Sequence, residues 1–167
     1  AVSLLLQHEL QGGLRADSLA LPGAPVPSAA DSRHPAAPPR GLTKRDWAGV
    51  MTVAEIMVRP VVTATPDTPA GDARRLLEQA KIRHLPVLDG ELLVGIVSDR
   101  DFREAQSDAV PLREIMTRTV FILSPDTSVR RAARIFRERR VGAMPVLAGR
   151  HLVGIVSVVD VLRVLGE

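Results

Sequence analysis

The sequence predicts a mixed α/β fold of the α+β kind, in which two β-α-β-β-α repeats pack with pseudo-two-fold symmetry behind a disordered N-terminal tail. Three observations support this prediction. From Val53 onward the sequence contains an internal repeat with a constant offset of 59 residues. Each copy alternates β-branched apolar runs with segments of helical periodicity, and the first fifty residues lack both features.

Residues 1–50 are predicted to be a disordered tail or linker. Residues 22–41 carry six prolines among Ala, Gly and Ser, with almost no large apolar side chain. Such a composition cannot bury enough apolar surface to offset the entropy lost on ordering. Residues 4–21 could form only a marginal helix. The folded region is therefore expected to begin after Met51.

The repeat aligns without a single insertion, which indicates a duplication and predicts two domains, 53–111 and 112–167. The matching pairs are EIMVRPV (55–61) with EIMTRTV (114–120), PDT (66–68) with PDT (125–127), LPVLDG (85–90) with MPVLAG (144–149), and LVGIVS (93–98) with LVGIVS (152–157).

Each repeat begins with a short helical leader, 53–57 or 112–116, followed by a predicted strand near 61–63 or 120–123. The recurring Met57 and Met116 are predicted core residues. Pro-Asp-Thr then supplies helix-capping side chains ahead of a longer helix. The apolar face of that helix is predicted to consist of Ala70, Ala73, Leu76, Leu77 and Ala80 in the first repeat, and of Val129, Ala132, Ile135 and Phe136 in the second.

A β-hairpin and a final helix complete each repeat. Two apolar strands are joined by Asp89-Gly90 in the first repeat and by Ala148-Gly149 in the second, and an X-Gly pair between apolar runs predicts a tight turn. The final helix is predicted to begin at Ser98 or Ser157. A unit of roughly 55 residues is marginally stable alone, so the two copies are expected to bury their apolar faces against each other.

Composition and charge exclude several classes of protein. The chain has 46% apolar but only 2% aromatic residues, so its core is aliphatic, and its net charge of +3 is mild. It has no cysteine, which excludes disulfides and thiolate metal sites. No apolar run approaches the ~20 residues that a transmembrane helix needs, and the opening segment is a poor signal peptide. We expect a cytoplasmic protein.

An enzyme is not expected. The four histidines show no metal-ligand spacing, and no Ser, His or carboxylate pattern pairs a nucleophile with a base.

The Ser-x-x-Asp motif is the first candidate site, because it ends both Gly-Ile-Val-Ser strands. The first copy is Ser98 with Asp101, and the second is Ser157 with Asp160. Spacing alone favours a capping box, in which Ser and an acidic residue satisfy the free N–H groups of a helix start. The same helix start also suits an anion. One geometry could serve both purposes.

Together these motifs resemble a tandem pair of cystathionine β-synthase (CBS) domains, and the resemblance covers residues 53–163. The shared features are IM-x-R at the start, PD-T before the helix, apolar-Pro-Val before the hairpin and G-I-V-S-x-x-D at the close, each present twice. The resemblance implies a regulatory module that binds AMP, ADP, ATP or S-adenosylmethionine in clefts between the repeats, with no required cofactor. It also implies a homodimer formed through the helices and an unidentified regulated protein.

The resemblance also assigns candidate ligand-binding residues. It implies that Asp101 and Asp160 bind the ribose hydroxyls and that Ser98 and Ser157 lie near the phosphates. The residues before apolar-Pro line the base or reach a phosphate, and the exit of the first strand flanks the adenine. These further positions are Arg83, His84, Gly142 and Ala143 before apolar-Pro, and Thr63 to Thr65 and Ile122 to Ser124 at the strand exits.

Two alternatives stay open. The module could be a purely structural dimerisation unit with empty clefts. It could also bind nucleic acid through the arginines of residues 130–140, although these are most simply the exposed face of a helix and have no aromatic stacking partners. We further expect the two clefts to differ, because Arg83-His84 can contact a phosphate through side chains whereas Gly142-Ala143 offers only backbone.

Overall fold

The computed structural model describes Gly41 and residues 43–166, so most of the predicted tail lies outside the described residues. In chain order its elements are α1 Lys44–Val50, α2 Val53–Ile56, α3 Ala70–Ala80, β1 His84–Asp89, β2 Leu92–Ser98, α4 Asp101–Glu104, α5 Leu112–Ile115, α6 Val129–Arg139, β3 Ala143–Ala148, β4 His151–Ser157 and α7 Val158–Leu165. The mixed helix and strand composition and the duplicated order confirm the predicted fold class.

The sheets are two antiparallel hairpins, β1 with β2 and β3 with β4. The predicted first strands near 61–63 and 120–123 are reduced to single parallel bridges, Ala64 with Val87 and Leu123 with Val146. The cause is the proline of the apolar-Pro motif. Ala64 N–H donates to the Pro86 carbonyl at 3.0 Å, but Pro86 has no N–H with which to extend the ladder toward residue 62, and Pro145 imposes the same limit in the second repeat.

The hairpin turns lie one residue later than predicted. Asp89 pairs with Leu92 and Ala148 with His151, so the turn residues are Gly90-Glu91 and Gly149-Arg150. Both glycines have positive φ, 59° and 62°. Glycine at the first turn position meets the requirement of a tight hairpin for a left-handed residue there.

The predicted helix faces are confirmed. In α3 the buried residues include Ala70, Ala73, Leu77 and Ala80, and Leu76 is half-buried. In α6 all four predicted residues are buried. Apolar spacing at i, i+3 and i+7 therefore places one stripe of each helix against its hairpin.

The final helices differ between the repeats. Helix α7 begins at Val158, directly after Ser157 as predicted, and runs for eight residues. Helix α4 begins only at Asp101, three residues after Ser98, and has four residues. Val158 packs against the core, whereas its counterpart Asp99 is exposed, so the first turn of α4 has no apolar anchor.

The helical leaders are exchanged between the two repeats. Helix α2 packs in the core of the second repeat with α6 and α7, and α5 packs in the core of the first repeat with α3. Val53 N–H donates to the Thr127 carbonyl at 2.7 Å, and Leu112 N–H donates to the Thr68 carbonyl at 3.0 Å. Each repeat of the sequence thus completes the core of the other, and neither packs as an isolated unit.

The glycine of each Gly-Ile-Val-Ser motif makes room for this exchange. A Cβ atom on Gly154 would overlap the sulfur of Met57, and a Cβ atom on Gly95 would lie 2.5 Å from the sulfur of Met116. Because each methionine crosses from the opposite repeat, only a residue without a side chain fits beneath it. Both methionines pack with their respective cores, as predicted.

The predicted end of the tail at residue 50 is wrong for its last seven residues, which form α1. Thr43 caps this helix by accepting the Asp46 N–H at 3.2 Å. Ala48 is fully buried and Trp47 half-buried against the second repeat. A Trp-Ala pair followed by Met51 makes a short apolar stripe, and burying that stripe on α6 and α7 orders the segment.

Helix α1 also extends the pseudo-symmetry beyond the visible sequence repeat. A Cβ atom on Gly49 would lie 2.9 Å from the Arg130 guanidinium, and a Cβ atom on Gly71 would lie 2.8 Å from the Asp108 side chain. These two contacts are equivalent at the offset of 59 residues, with the large and small partners exchanged. Residues 44–50 therefore pack on the second repeat at the place where residues 103–109 pack on the first.

Candidate ligand-binding site

Both Ser-x-x-Asp motifs form closed hydrogen-bonded boxes where a hairpin meets its final helix. The Ser98 N–H and Oγ–H donate to Asp101 Oδ2 at 2.6 and 2.8 Å. The Ser157 N–H and Oγ–H donate to Asp160 Oδ2 at 2.8 and 2.5 Å. The capping-box prediction is confirmed at Ser157, whose Oγ also accepts the Asp160 N–H at 3.4 Å. It is wrong at Ser98, because α4 begins only at Asp101, with Arg100 at its N-cap and no side-chain cap. In each motif both bonds end on one carboxylate oxygen. The other oxygen, Oδ1, can accept from a ligand hydroxyl.

The strand register brings Arg83 and His84 beside the first box. His84 begins β1 and pairs with Ser98, and the Asp99 N–H donates to the Arg83 carbonyl at 3.2 Å. Arg83 is exposed and His84 is half-buried. A guanidinium, an imidazole and a boxed carboxylate therefore lie around one strand end, where they can bind an anion and a pair of hydroxyls.

The imidazole of His84 is half-buried, and its surroundings shift its pKa. Burial holds the pKa of the imidazole below its usual value. The carboxylates of Asp99 and Asp101 oppose this shift, and the Arg83 guanidinium adds to it. His84 is thus mainly neutral at pH 7, and a nearby dianion would favour its protonated form.

His84 reaches across the pseudo-two-fold axis to the second repeat. A Cβ atom on Gly142 would lie only 2.7 Å from His84 Nε2. Gly142 occupies the position equivalent to Arg83, so an arginine there would clash with the imidazole of the first repeat. The sequence shows that the two positions differ, and the structure supplies the steric reason.

The second repeat repeats the backbone of this site but not its charges. Ala143 pairs with Ser157, and the Val158 N–H donates to the Gly142 carbonyl at 3.0 Å. Its carboxylate is approached by Arg163 of α7, whose Nη1 lies 3.9 Å from Asp160 Oδ1. This copy therefore offers a boxed carboxylate and backbone groups, with no counterpart of Arg83 or His84.

The predicted adenine-flanking residues lie on the other side of the first strand of each hairpin. Thr63 and Thr65 flank the Ala64 bridge, and the Thr65 N–H donates to Thr68 Oγ1 at 3.0 Å. Ile122 and Ser124 flank the equivalent Leu123 bridge. These four residues therefore lie beside β1 or β3, whose hairpin partner strands β2 and β4 end in the two serines.

The described residues contain no group of three His, Asp or Glu side chains that could hold a metal ion. No described helix has the length and apolarity to cross a lipid bilayer. A surface groove lies on the helical side of the second repeat between α1, α6 and α7, and it includes none of the predicted ligand residues.

The sequence predicts an electrostatic difference at Asp99-Arg100, where the second repeat has Val158-Val159, but it does not predict the contact of His84 with Gly142. Asp99 stands out in the repeat alignment because the second repeat has Val158 there, but only the folded strand pair shows that its charge acts on His84. The Gly142 contact crosses the repeats and leaves no local signal in the sequence.

Comparison with protein families identifies this architecture. The family model for the CBS domain matches twice, over residues 53–108 and 112–167. The chain belongs to the CBS domain family. Its two copies form a CBS pair, as the resemblance predicted.

Known CBS proteins extend this result. The chain is 31% identical to inosine-5'-monophosphate dehydrogenase of Korarchaeum cryptofilum over 113 residues, which are 67% of this chain and 24% of that one. It spans about a quarter or less of the curated enzymes it matches first. These matches concern CBS regions and carry no catalytic activity over to this chain.

Two solved structures are similar to the fold and contain ligands. The CBS pair of protein MJ0100, in complex with 5'-methylthioadenosine and S-adenosyl-L-methionine, has 31% identity and a TM-score of 0.67, covering 70% of this chain and 97% of that one. CBSX2 in complex with AMP has 28% identity and a TM-score of 0.62, covering 68% and 94%. These likenesses support a regulatory ligand-binding module in general.

Proposed function

We propose that this protein is a regulatory module that binds an adenosine-containing ligand at the ends of its hairpins. The observation that carries the proposal is the pair of Ser-x-x-Asp boxes, each with a carboxylate oxygen left for a ligand. The ligands of MJ0100 and CBSX2 all contain an adenosine group, which supports this ligand class. The candidates are AMP, ADP, ATP and S-adenosylmethionine.

Each residue has a proposed role that its chemistry supports. Asp101 and Asp160 accept hydrogen bonds from ribose hydroxyls, and such bonds to a charged acceptor are stronger than neutral ones. Ser98 and Ser157 hold those carboxylates in place, and Ser157 also lies at the start of a helix. The proposed adenine-flanking residues are Thr63, Thr65, Ile122 and Ser124, with Ala143 beside the second box.

The two sites are proposed to prefer different ligands. The first site has Arg83, which can donate to two phosphate oxygens through its planar fork, and His84, which can donate a further bond. The second site has only the backbone of Gly142 and Ala143. We therefore assign phosphorylated ligands to the site reached by Arg83 and uncharged adenosyl groups to the other.

We also propose that the chain forms a homodimer through its helices, that it regulates a partner protein and that it is located in the cytoplasm. We propose no catalytic step for the protein and no cofactor beyond the regulatory ligand.

A purely structural module is the second candidate. The observation that favours it is that each aspartate already accepts two hydrogen bonds from its own serine. In that case the boxes would be helix caps alone, and no adenosine compound would bind.

Calorimetric titration of single variants separates the two candidates. Asp101→Ala and Asp160→Ala should each weaken adenosine-ligand binding in one site, since losing a hydrogen bond to a charged group costs about 1.5–3 kcal/mol, or roughly tenfold to more than a hundredfold in affinity. Asp89→Ala, which removes an exposed carboxylate from the hairpin end, is the matched control. Lower melting temperature with unchanged affinity would show that the aspartates are only caps.

A further inference from the structure

Helix α7 connects the second serine–aspartate box to helix α1. The N-terminus of α7 follows Ser157 directly and carries the box through Asp160. Further along, the same helix packs with α1 in one apolar cluster, to which α7 contributes Val161 and Val164 and α1 contributes Ala48. The proposed ligand contact and the docking surface for α1 therefore lie on one short helix.

Helix α1 docks on the second repeat in a fixed register. The Met51 carbonyl accepts the N–H of Val129, the first residue of α6, at 2.8 Å. A Cβ atom on Gly49 would lie 2.9 Å from the Arg130 guanidinium, so the backbone of α1 approaches α6 closely. Because protein interiors are closely packed, a shift of α7 against α6 would change the fit of α1 between them.

Helix α1 has little stability apart from this contact. It has seven residues, and a helix of that length is marginal in water on its own. Its N-terminal cap, in which Thr43 accepts the Asp46 N–H, is exposed. The order of α1 therefore depends mainly on burying Ala48 and part of Trp47 against the second repeat. Such a segment has two states, one docked and one released.

The first repeat is built differently at the equivalent place. Helix α4 has four residues, whereas α7 has eight. Residues 103–109, which pack where α1 packs on the second repeat, are held at both ends by α4 and α5. Among the described residues, only the second box therefore lies on a helix that also holds a releasable segment.

We propose that ligand binding at the second box strengthens the docking of α1, so that α1 transmits the occupancy of this site to the chain on its N-terminal side. This coupling rests on the proposed ligand site at Asp160. A ligand bound to the Asp160 carboxylate orders the first turn of α7, and a docked α1 orders the same helix from its other side. Each event lowers the entropy cost of the other, which gives positive coupling.

The fluorescence of Trp47 reports the docking of α1, because Trp47 is the only tryptophan of the chain. Adenosine, the probe for the second site, should lower the quenching of Trp47 by acrylamide in the full chain. Asp101→Ala, which weakens the first site, should keep this response. Asp160→Ala should lose it at an adenosine concentration that saturates the wild-type chain.

The reciprocal experiment releases α1 and measures ligand affinity, since coupling between two binding events is equal in both directions. Ala48→Lys places a charge in the fully buried contact with the second repeat, and Val50→Lys on the exposed side of the same helix is the matched control. Ala48→Lys should raise the quenching of Trp47 and weaken adenosine binding in calorimetry by roughly fivefold or more. Val50→Lys should change neither.

The outcomes distinguish a failure of the coupling from a failure of the ligand site. Adenosine binding in calorimetry without a change in Trp47 quenching would overturn the coupling and leave the site in place. Equal adenosine affinity in the wild-type chain and in an Ala48→Lys chain with released Trp47 would overturn it equally. If calorimetry recorded no adenosine binding at all, the proposed function would fail and the coupling with it.

Discussion

Arg83 and His84 lie at the start of the first hairpin, and Gly142 and Ala143 lie at the same place at the start of the second. Around them the two repeats share the hairpin register, the serine–aspartate box and the exchanged leader. The comparison separates two kinds of position. Those that hold the backbone together recur in both repeats, whereas the basic side chains that we propose to contact a phosphate are present in the first repeat only.

Steric complementarity across the axis links the two kinds. His84 fits because its neighbour Gly142 has no side chain, just as Met57 fits over Gly154 and Arg130 over Gly49. A duplicated fold that meets itself at an axis cannot place two large side chains in the same space. In each contact one partner is large and the other has no side chain. The methionine–glycine contact occurs in both directions, so each repeat carries both partners, whereas the contact of His84 with Gly142 occurs once, since the residue equivalent to His84 is Ala143.

The largest expected effect tests whether the methionine–glycine contact contributes equally to stability in both repeats. Gly154→Ala and Gly95→Ala each force a methyl group into a methionine that crosses from the other repeat, and overpacking of this kind costs about 1–3 kcal/mol of unfolding free energy. Urea denaturation should give similar losses for the two variants. Combining Gly154→Ala with Met57→Ala should cost less than the two separate losses added together, and strict additivity would contradict the proposed overlap.

The next effect tests whether helix α1 contributes to the stability of the fold. A chain that starts at Met51 loses the burial of Ala48 and Trp47 on the second repeat, which should lower stability by about 2 kcal/mol. For a protein of this size that loss corresponds to a melting temperature lower by roughly 4–8 °C. A chain that starts at Gly41 keeps α1 and is the control. Equal melting temperatures for the two chains would show that α1 adds nothing to the fold.

A smaller effect concerns pH and appears only in the first repeat. The folded state holds the pKa of His84 below its ordinary value of about 6.5, so below that pH the unfolded chain binds more protons than the folded one. Stability should therefore fall as the pH is lowered from about 6.5 toward the folded-state pKa of His84. His84→Asn should remove this part of the pH dependence in thermal melts between pH 5 and pH 7.5, a range set by the usual titration of histidine. Substituting the exposed His151 should not remove it.

The sequence predicts the local features of the two repeats better than the contacts between them. The duplication, the helix faces and the serine–aspartate boxes are local patterns, so spacing alone predicted them. The first strands were overpredicted, because β-branched residues such as Val61 and Val62 favour a strand while the partner proline limits the ladder to one bridge. The exchanged leaders and the role of Gly142 depend on contacts about sixty residues apart. Helix α1 was missed because its equivalent in the first repeat shares no sequence with it.

We propose that only the first repeat contacts the phosphate group of the ligand through side chains, and one titration tests this most directly. The double variant Arg83→Ala, His84→Ala should be titrated with AMP and with adenosine beside the wild-type chain. Losing charge-assisted donors to phosphate should cost at least about 1.5–3 kcal/mol, so AMP affinity should fall by roughly tenfold to a hundredfold or more. Adenosine affinity should change little, because the ribose and base contacts remain. If AMP and adenosine affinities fell together, or if neither changed, Arg83 and His84 would not contact the phosphate, and the proposed difference between the two repeats would be contradicted.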